Sequence, residues 1–488
     1  MTTGPTEDAT ALATAIAKGE TDAHALLSAA IAKSGCWNPK INALCHQDED
    51  QARQLIDAGL ASGPFRGVPF LLKDIGCETP DFPVSNGSRL AAPVRFKRHS
   101  TLYSRLRGAG LVPFARTTTP EGGIGPVTEA ALYGGPTRNP WDLSRTPGGS
   151  SGGAAAAVAA GLVPAAQGSD GGGSLRMPAS NCGLVALKAS RARIPDGPYS
   201  GEGWAGMSID GVLTRTVRDQ ALFLDVLAGP DLGAPYFPPP MADSFLSASR
   251  RDPGKLRIGL CDTTFDGAAI SPECRAGVLA AGQLLEGLGH SVEHSCPTHA
   301  DHRQMMRAWT HIVACGTEAW VRSAEQLGGN AARDQLEPVA QSACRLAATL
   351  SGADYLDAVD RIHAYGRDMA TFFDGGPDIL LSATLAEPPA RIGRFAHARP
   401  EFEDFMDYRL GPDGVYTYSP FVAAFNASGQ PAMSLPLFQT EAGIPIGIHF
   451  AAPMGADAVL ISLAAQLEAA APWPTEPATF PGRSGEGA

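Results

Sequence analysis

Short apolar runs alternate with amphipathic helical patterns along most of this 488-residue chain. The apolar runs that predict strands lie at 41–45, 67–72, 111–115, 256–261, 291–293, 379–382, 432–437 and 446–451. Helical periodicity occurs twice within 8–35 and then over 46–61, 100–107, 215–227, 272–288, 301–326, 353–373 and 457–470. Such alternation is typical of a mostly parallel or mixed β-sheet with helices on its faces. We therefore predict an α/β fold with a mixed sheet core covered by helices on both faces.

Local signals refine these elements and the domain boundaries. Asp22 is expected to cap the second helix, and Asn38 with Pro39 predicts a turn before the first strand. The stretch 117–141 is rich in turn residues and has no periodicity, as expected of a loop that lines a site. Because no internal repeat is found, we predict a single domain over 1–472. The Pro-, Gly- and Ser-rich residues 473–488 are predicted to be a disordered tail.

Two clusters of glycine and serine, at 148–153 and 168–174, flank an Ala-rich segment that predicts one helix followed by one strand. Their eight glycines destabilise a fold unless the missing side chains serve a purpose. One such purpose is to aim bare backbone N–H groups at an anion, either a phosphate or a developing oxyanion. Neither cluster continues into G-K-[ST], and no G-x-G-x-x-G opens a helix after a strand, so a phosphate site is disfavoured. An oxyanion hole beside a serine is favoured instead. A glycine-rich turn without any chemistry is the alternative for this stretch alone.

Ser174 is the preferred nucleophile of these clusters. Gly171, Gly172 and Gly173 leave three unobstructed N–H groups just before its hydroxyl. Ser151 stands at the centre of a formal G-x-S-x-G match, but that motif needs a buried strand directly before it. Here a loop full of turn residues precedes Ser151.

A lysine at the end of a buried strand can supply the base that a serine nucleophile needs. The chain has only seven lysines, and Lys73 directly follows the apolar run 68–72. Burial disfavours the charged form of a lysine and lowers its pKa, which can leave it as a neutral base. Lys188 has similar apolar flanks, and spacing alone does not choose between the two lysines.

In these motifs the chain resembles the amidase signature hydrolases, which use a Ser–cis-Ser–Lys triad. The family pattern is K-D after an apolar strand, then G-G-S-S-G-G, then G-[ST]-D-x-G-G-S-x-R-x-P. It matches Lys73 with Asp74, 148–153 and 168–178. The segments 137–141, 182–188 and 425–436 also look like family segments, so the resemblance covers the full length.

The resemblance implies a role for each matching position. Ser174 would be the nucleophile, Ser150 the bridging serine after a cis peptide, and Lys73 the general base. The oxyanion hole would be formed by the backbone N–H groups of Gly171, Gly172, Gly173 and Ser174. The residues that would support the site are Ser151, Asp170 and Arg176, the last two as a pair that holds the loop.

The sequence departs from the family pattern without losing a triad member. Gly171 stands where a larger residue is common, which would soften the loop and open space at the nucleophile. Other departures are Arg116, Thr118 and Ala189. Substrate shape is therefore less determined by the sequence than the type of reaction.

Composition narrows the partners and the compartment. A net charge of −12 opposes binding to nucleic acid or an anionic membrane, so a small molecule is the expected partner. The resemblance implies that this molecule is an amide, and the expected assembly is a homodimer. The chain has neither a membrane-spanning run nor the basic, apolar start of a signal peptide, so we expect a soluble cytoplasmic protein. Nine scattered cysteines without a C-x-x-C pair predict reduced thiols rather than a disulfide framework.

A metal site is a competing interpretation for the residues around Cys296. The candidate ligands are His290, His294, His299 and His302. Their spacing fits no helical pair or zinc pattern closely, and Pro297 interrupts it. We therefore expect neither a metal nor a cofactor.

The sequence thus predicts an amidase that cleaves a carboxamide through an acyl-enzyme on Ser174. The segments 137–143, 425–436 and 445–448 most resemble bacterial amidases of the 6-aminohexanoate cyclic dimer hydrolase type, which open amide bonds in nylon-derived oligomers. A cyclic or linear oligoamide is therefore the first substrate hypothesis. Hydrolysis of an aryl acylamide, an ester or a carbamate (urethane) is the alternative, because the same triad can cleave all three. The presence of all three triad residues disfavours a non-catalytic binding subunit.

Overall fold

A computed structural model describes residues 7–329, 332–396, 404–475 and 477. The strands are β1 Leu44–Cys45, β2 Pro69–Lys73, β3 Val112–Thr117, β4 Ala165–Asp170, β5 Ala186–Lys188, β6 Ile209–Thr214, β7 Arg257–Leu260, β8 Ser291–His294, β9 Ile379–Ala383, β10 Ala432–Gln439 and β11 Pro445–Ala451. The helices of the first half are α1 Ala9–Ala17, α2 Ala23–Ile41, α3 Glu49–Asp57, α4 Thr101–Gly108, α5 Gly152–Ala159, α6 Arg176–Cys182, α7 Val217–Leu227 and α8 Phe245–Ala248. Those of the second half are α9 Pro272–Gly287, α10 His302–Gln326, α11 Pro338–Ala347, α12 Gly352–Phe373, α13 Phe405–Leu410, α14 Val415–Tyr418, α15 Ala423–Ser428 and α16 Asp457–Ala470.

The strands form two mixed sheets. The first has the order β1-β3-β2-β4-β6, with β2 parallel to both of its neighbours and the two edge strands antiparallel. The second has the order β5-β10-β11-β9-β7-β8, antiparallel from β5 to β9 and parallel from β9 to β8. An isolated bridge between Val185 and Thr214 links the two sheets. The mixed α/β prediction is confirmed.

The Ala-rich helix α5 lies in the interior, between the two Gly-Ser clusters. All eight of its residues are buried. Gly153 allows this close packing, because a Cβ at that position would lie 2.5 Å from the backbone nitrogen of Thr118. Small side chains therefore let a helix approach the loop after β3 closely enough to bring Ser150 and Ser151 to the ends of the central strands.

Most predicted elements occur within a few residues of their expected bounds, including the Asp22 cap, whose side chain accepts from Ala25 N. The predicted turn at Asn38 and Pro39 is wrong, since α2 continues through Pro39. The side chain of Asn38 instead accepts from the backbone N–H groups of Ala43 and Leu44, each at 2.8 Å. This amide holds the chain just beyond the helix end, so the break falls after the proline. Strands β5 and β6, helix α11 and the short helices α6, α8 and α13 to α15 were not predicted.

The cysteine prediction needs one correction. Cys261 and Cys296 form a disulfide, with their Cα atoms 5.1 Å apart, and the other seven cysteines are free. The two residues follow the parallel strands β7 and β8, whose last residues, Leu260 and His294, are paired in register. Sheet register thus brings together two cysteines that lie 35 positions apart in the sequence.

The chain remains packed at the start of the predicted tail. Trp473 is buried, and its indole N–H donates to the carbonyl of Arg215 at 3.1 Å. Of the other tail residues only 474, 475 and 477 are described, and the remainder of 473–488 lies outside the described residues. In the described ranges, no helix combines the length and the apolar character that a membrane span requires.

Candidate active site

Lys73 lies at the end of β2, the central strand of the first sheet. All five residues of the strand are buried, and the Lys73 side chain is completely buried. Its Nζ donates to Ser150 Oγ at 2.7 Å and to Ser169 Oγ at 2.9 Å. Its backbone N–H donates to Gln167 Oε1 at 2.7 Å. Ligands in such sheets commonly bind beyond the carboxyl ends of the parallel strands, where Lys73 and Ser169 meet.

Burial determines the charge state of Lys73. Loss of solvent lowers the pKa of its ammonium to about 7, although the nearby carboxylates of Asp210 and Asp170 favour the charged form. Lys188 is also buried, and desolvation likewise lowers its pKa to about 7. Its Nζ, however, donates to the carbonyl of Ala189 at 2.7 Å. Geometry therefore separates the two lysines, because only Lys73 contacts the serine cluster.

Ser150 and Ser151 join the first Gly-Ser loop to the rest of the site. The Gly149–Ser150 peptide bond is cis. Ser151 N donates to the carbonyl of Ser174 at 3.2 Å, which links the two loops. The Ser151 hydroxyl accepts from Ser169 N and donates to Ser169 O, both at 3.2 Å. No strand lies directly before Ser151, and its side chain is fully buried against β4, which is consistent with a supporting role.

The second Gly-Ser loop connects β4 to α6 and carries Ser174, which is 8% exposed. Gly173 N donates to Asp170 Oδ1 at 2.7 Å. The Gly173 N–H therefore already has a protein acceptor, and its predicted contribution to an oxyanion hole stays a prediction. Within the described ranges, the N–H groups of Gly171, Gly172 and Ser174 donate to no protein acceptor. These three amides are available to an oxyanion.

A buried ion pair supports the loop. Arg176 Nε donates to Asp170 Oδ2 at 2.9 Å, and both side chains are completely buried. A second guanidinium nitrogen donates to Asp170 Oδ1 at 3.0 Å and to Asn426 Oδ1 at 2.6 Å. Burial alone would raise the pKa of Asp170, but Arg176 and the hydrogen bonds from Asn426 and Gly173 hold it below its ordinary value. The carboxylate is therefore charged at neutral pH and fixes the loop at both ends.

Comparison with known proteins assigns the family. The model of the Amidase family matches residues 25–461. The chain belongs to the amidase signature family. It is 35% identical over 481 residues to the 6-aminohexanoate-cyclic-dimer hydrolase of Paenarthrobacter ureafaciens, covering 96% of this chain and 95% of that protein. It is 34% identical over 478 residues to an acylamidase of Rhodococcus erythropolis, covering 95% of each.

Solved structures agree with this assignment. A 6-aminohexanoate cyclic dimer hydrolase complexed with substrate superposes with a TM-score of 0.91 at 33% identity, covering 97% of this chain and 99% of that one. A bacterial aryl acylamidase of the amidase signature family gives a TM-score of 0.85 at 27% identity, covering 96% and 97% of the two chains. The protein is thus an amidase in sequence and fold.

Sequence reasoning missed three polar residues at the centre of this amidase. Gln167 and Ser169 both contact Lys73, and they lie two apart on β4, so strand alternation places them on one face. That alternation next to the G-S-D motif was the available signal. Asn426 contacts both members of the Asp170–Arg176 pair. It belongs to the family-like segment 425–436, but nothing in its spacing indicates a contact with residues about 250 positions earlier.

Two tryptophan rings pack against the nucleophile loop of the amidase. A Cβ on Gly171 would lie 2.6 Å from the ring of Trp204, and one on Gly172 would lie 2.7 Å from the ring of Trp309. The expectation that Gly171 opens space at the nucleophile is therefore wrong, because Trp204 fills that space. The loop is glycine-rich on this side because aromatic rings pack directly on its backbone.

The amidase contains one small group of candidate metal ligands in its described part. Cys45, His46 and Asp74 each place a ligand atom within 4.8 Å of the others. Asp74 already accepts hydrogen bonds from the side chains of Ser85 and Tyr133. Burial raises the pKa of the Cys45 thiol, which keeps it protonated and a poor ligand. We propose no metal at this position.

The histidines around Cys296 have separate partners. His290 accepts from Leu256 N at 3.1 Å, and its other ring nitrogen lies 2.8 Å from Gln466 Oε1. His302 lies 2.8 Å from the Tyr365 hydroxyl and 2.9 Å from the carbonyl of Pro297. Cys296 itself is held in the disulfide. These contacts give His290 and His302 structural roles.

Proposed function

We propose that this amidase hydrolyses a carboxamide through a covalent acyl-enzyme on Ser174. The observation that carries the proposal is the 2.7 Å contact between Lys73 Nζ and Ser150 Oγ. Lys73 is buried with a pKa lowered to about 7 by desolvation, so a large fraction is neutral near pH 7. A neutral amine has a lone pair, which can accept the Ser150 proton over this distance.

The proposed sequence begins when Ser174 Oγ attacks the carbonyl carbon of the substrate. The Ser174 proton passes to Ser150 Oγ as the Ser150 proton passes to Lys73 Nζ, so Lys73 becomes an ammonium. The tetrahedral intermediate then expels the amine, which takes a proton back through Ser150. Water attacks the acyl-enzyme by the same relay and releases the carboxylic acid.

The tetrahedral intermediate carries a negative charge on the former carbonyl oxygen. The proposed donors to that oxygen are the N–H groups of Gly171, Gly172 and Ser174. The Gly173 N–H is left out because it already donates to Asp170. Such preorganised donors contribute strongly because they need no reorganisation during the reaction. The Asp170–Arg176 pair would hold the loop in this arrangement. No step requires a cofactor.

Two substrate classes follow from the relatives. The similarity to hydrolases of 6-aminohexanoate cyclic dimer favours a cyclic or linear oligoamide. Nearly equal similarity to an acylamidase favours an acyl or aryl amide as the second candidate, with esters and carbamates accessible to the same chemistry. A cytoplasmic location stays a prediction from the sequence.

The test combines labelling with a substrate panel. A serine-directed fluorophosphonate should label Ser174 in the wild type and should not label Ser174→Ala. A label mapped to Ser151 would show that the nucleophile is misassigned. Turnover of cyclic oligoamides, linear oligoamides, anilides, esters and carbamates then ranks the substrate classes. Equal labelling of the wild type and Ser174→Ala, with unchanged turnover, would overturn the proposal.

A further inference from the structure

The peptide group between Gly171 and Gly172 is anchored from outside the loop. The Gly171 carbonyl accepts a hydrogen bond from the indole N–H of Trp309 at 3.1 Å, and the contact is buried. The same peptide group carries the Gly172 N–H, one of the three free amides described above. In a planar trans peptide the C=O and N–H bonds point in opposite directions. An anchor on the carbonyl therefore also sets the direction of the Gly172 N–H.

The Trp309 ring is held tightly enough to serve as that anchor. It projects from α10 and is 3% exposed. The ring packs directly on Gly172, where a Cβ would lie only 2.7 Å from its Cζ2 atom. Trp204 meets it edge to face, with ring centroids 5.8 Å apart. Any larger residue at 172 would displace the ring and with it the hydrogen bond.

A buried arginine completes the support. The Arg409 guanidinium carbon lies 4.5 Å from the centroid of the Trp309 ring, and the side chain is 4% exposed. Burial lowers its pKa to about 10, so it stays charged at neutral pH. Among the described residues no group accepts a hydrogen bond from its Nε, and the guanidinium carbon also lies 5.3 Å from the ring centroid of Phe405 and 5.5 Å from that of Tyr408. A desolvated cation over the face of an indole is attracted by the ring quadrupole, which favours this ring position.

We propose that Trp309, held by Arg409, is a positioning residue that directs the Gly172 N–H at the developing oxyanion. The inference rests on the proposed acyl-enzyme on Ser174. A carbonyl that accepts a hydrogen bond also polarises its own amide, which strengthens the N–H as a donor. Trp309 thus acts on both the direction and the strength of one oxyanion contact without touching the substrate.

Trp309→Phe removes the indole N–H and keeps an aromatic ring. Loss of a whole oxyanion donor lowers kcat by about 100-fold to 1,000-fold, so a misdirected donor should lower it by roughly 10-fold to 100-fold. KM should change by less than about twofold, since the contact forms in the transition state. The matched control is Trp473→Phe, which also removes a buried indole hydrogen bond to a carbonyl at 3.1 Å. Its kcat should equal that of the wild type.

A boronic acid inhibitor distinguishes a positioning role of Trp309 from a general loosening of the active site. It forms a tetrahedral adduct with the nucleophilic serine and should place an oxygen in the oxyanion hole. Its Ki should rise in Trp309→Phe by the factor by which kcat falls, while the Ki of a substrate-like competitive inhibitor stays constant. Arg409→Leu should give a smaller loss in the same direction. The double variant should be no worse than Trp309→Phe, because both act through one contact.

The outcomes separate this inference from the proposed function. Wild-type kcat and boronate affinity in folded Trp309→Phe would overturn the inference and leave the Ser174 chemistry intact. If that variant does not fold, wild-type kcat and wild-type boronate affinity in Arg409→Leu would overturn it instead. A wild-type protein that neither boronate nor fluorophosphonate inhibits would refute the acyl-enzyme on Ser174.

Discussion

Replacement of Lys73 by methionine tests the proposed base most directly. Methionine fills a similar volume and is apolar, so it suits a position that is completely buried. The variant should fold and lose the proton acceptor that lies 2.7 Å from Ser150 Oγ. General base catalysis contributes about 10² to 10⁴ in rate, so kcat/KM for an amide should fall by that factor.

The pH dependence of kcat/KM follows from the burial of Lys73. With an ordinary pKa of about 10.4, only about one lysine in 2,500 is neutral at pH 7. Desolvation lowers the pKa of Lys73 to about 7. About half of the molecules then carry the neutral base, a gain of roughly a thousandfold. Because the neutral form is the active one, kcat/KM should rise with pH, with a midpoint near 7, and fall about tenfold per unit below it.

The assay is kcat/KM for one amide and one activated ester between pH 5 and 9. In Lys73→Met the ascending limb should disappear, and the loss should be smaller for the ester, whose leaving group needs no proton. Lys188→Met is the matched control, since burial lowers the pKa of that lysine to the same value. The Lys188→Met variant should keep the ascending limb of the kcat/KM profile. A limb that persists in Lys73→Met, or vanishes in Lys188→Met, would refute the assignment of the base.

Two further predictions concern stability and covalent structure. Asp170→Asn leaves Arg176 buried without its counterion, so the free energy of unfolding should fall by about 3–5 kcal/mol in urea titrations. Asp378→Asn, in the exposed pair with Arg257, should cost less than about 1 kcal/mol, and equal losses would contradict the argument. Alkylation of the denatured, unreduced protein should modify seven of the nine cysteines, because Cys261 and Cys296 are joined. Mass spectrometry that finds nine alkylated thiols would contradict the disulfide.

The sequence by itself determined the local parts of this protein. The apolar run before Lys73, the Ala-rich helix and the glycines beside Ser174 are properties of consecutive residues, and each occurs in the structure where its pattern indicates. The order and spacing of the motifs also identified the family. These features are predictable because backbone preferences and hydrophobic periodicity act over a few residues.

Only the tertiary structure decided how these parts meet. Lys73 and Lys188 are equally buried and have similarly lowered pKa values, and only the position of each Nζ separates them. The Gly173 amide is taken by Asp170, and Trp309 reaches Gly171 from 138 positions away. Sheet register likewise pairs Cys261 with Cys296. Sequence spacing does not encode such distances, because they depend on how strands align and helices pack after the chain has folded.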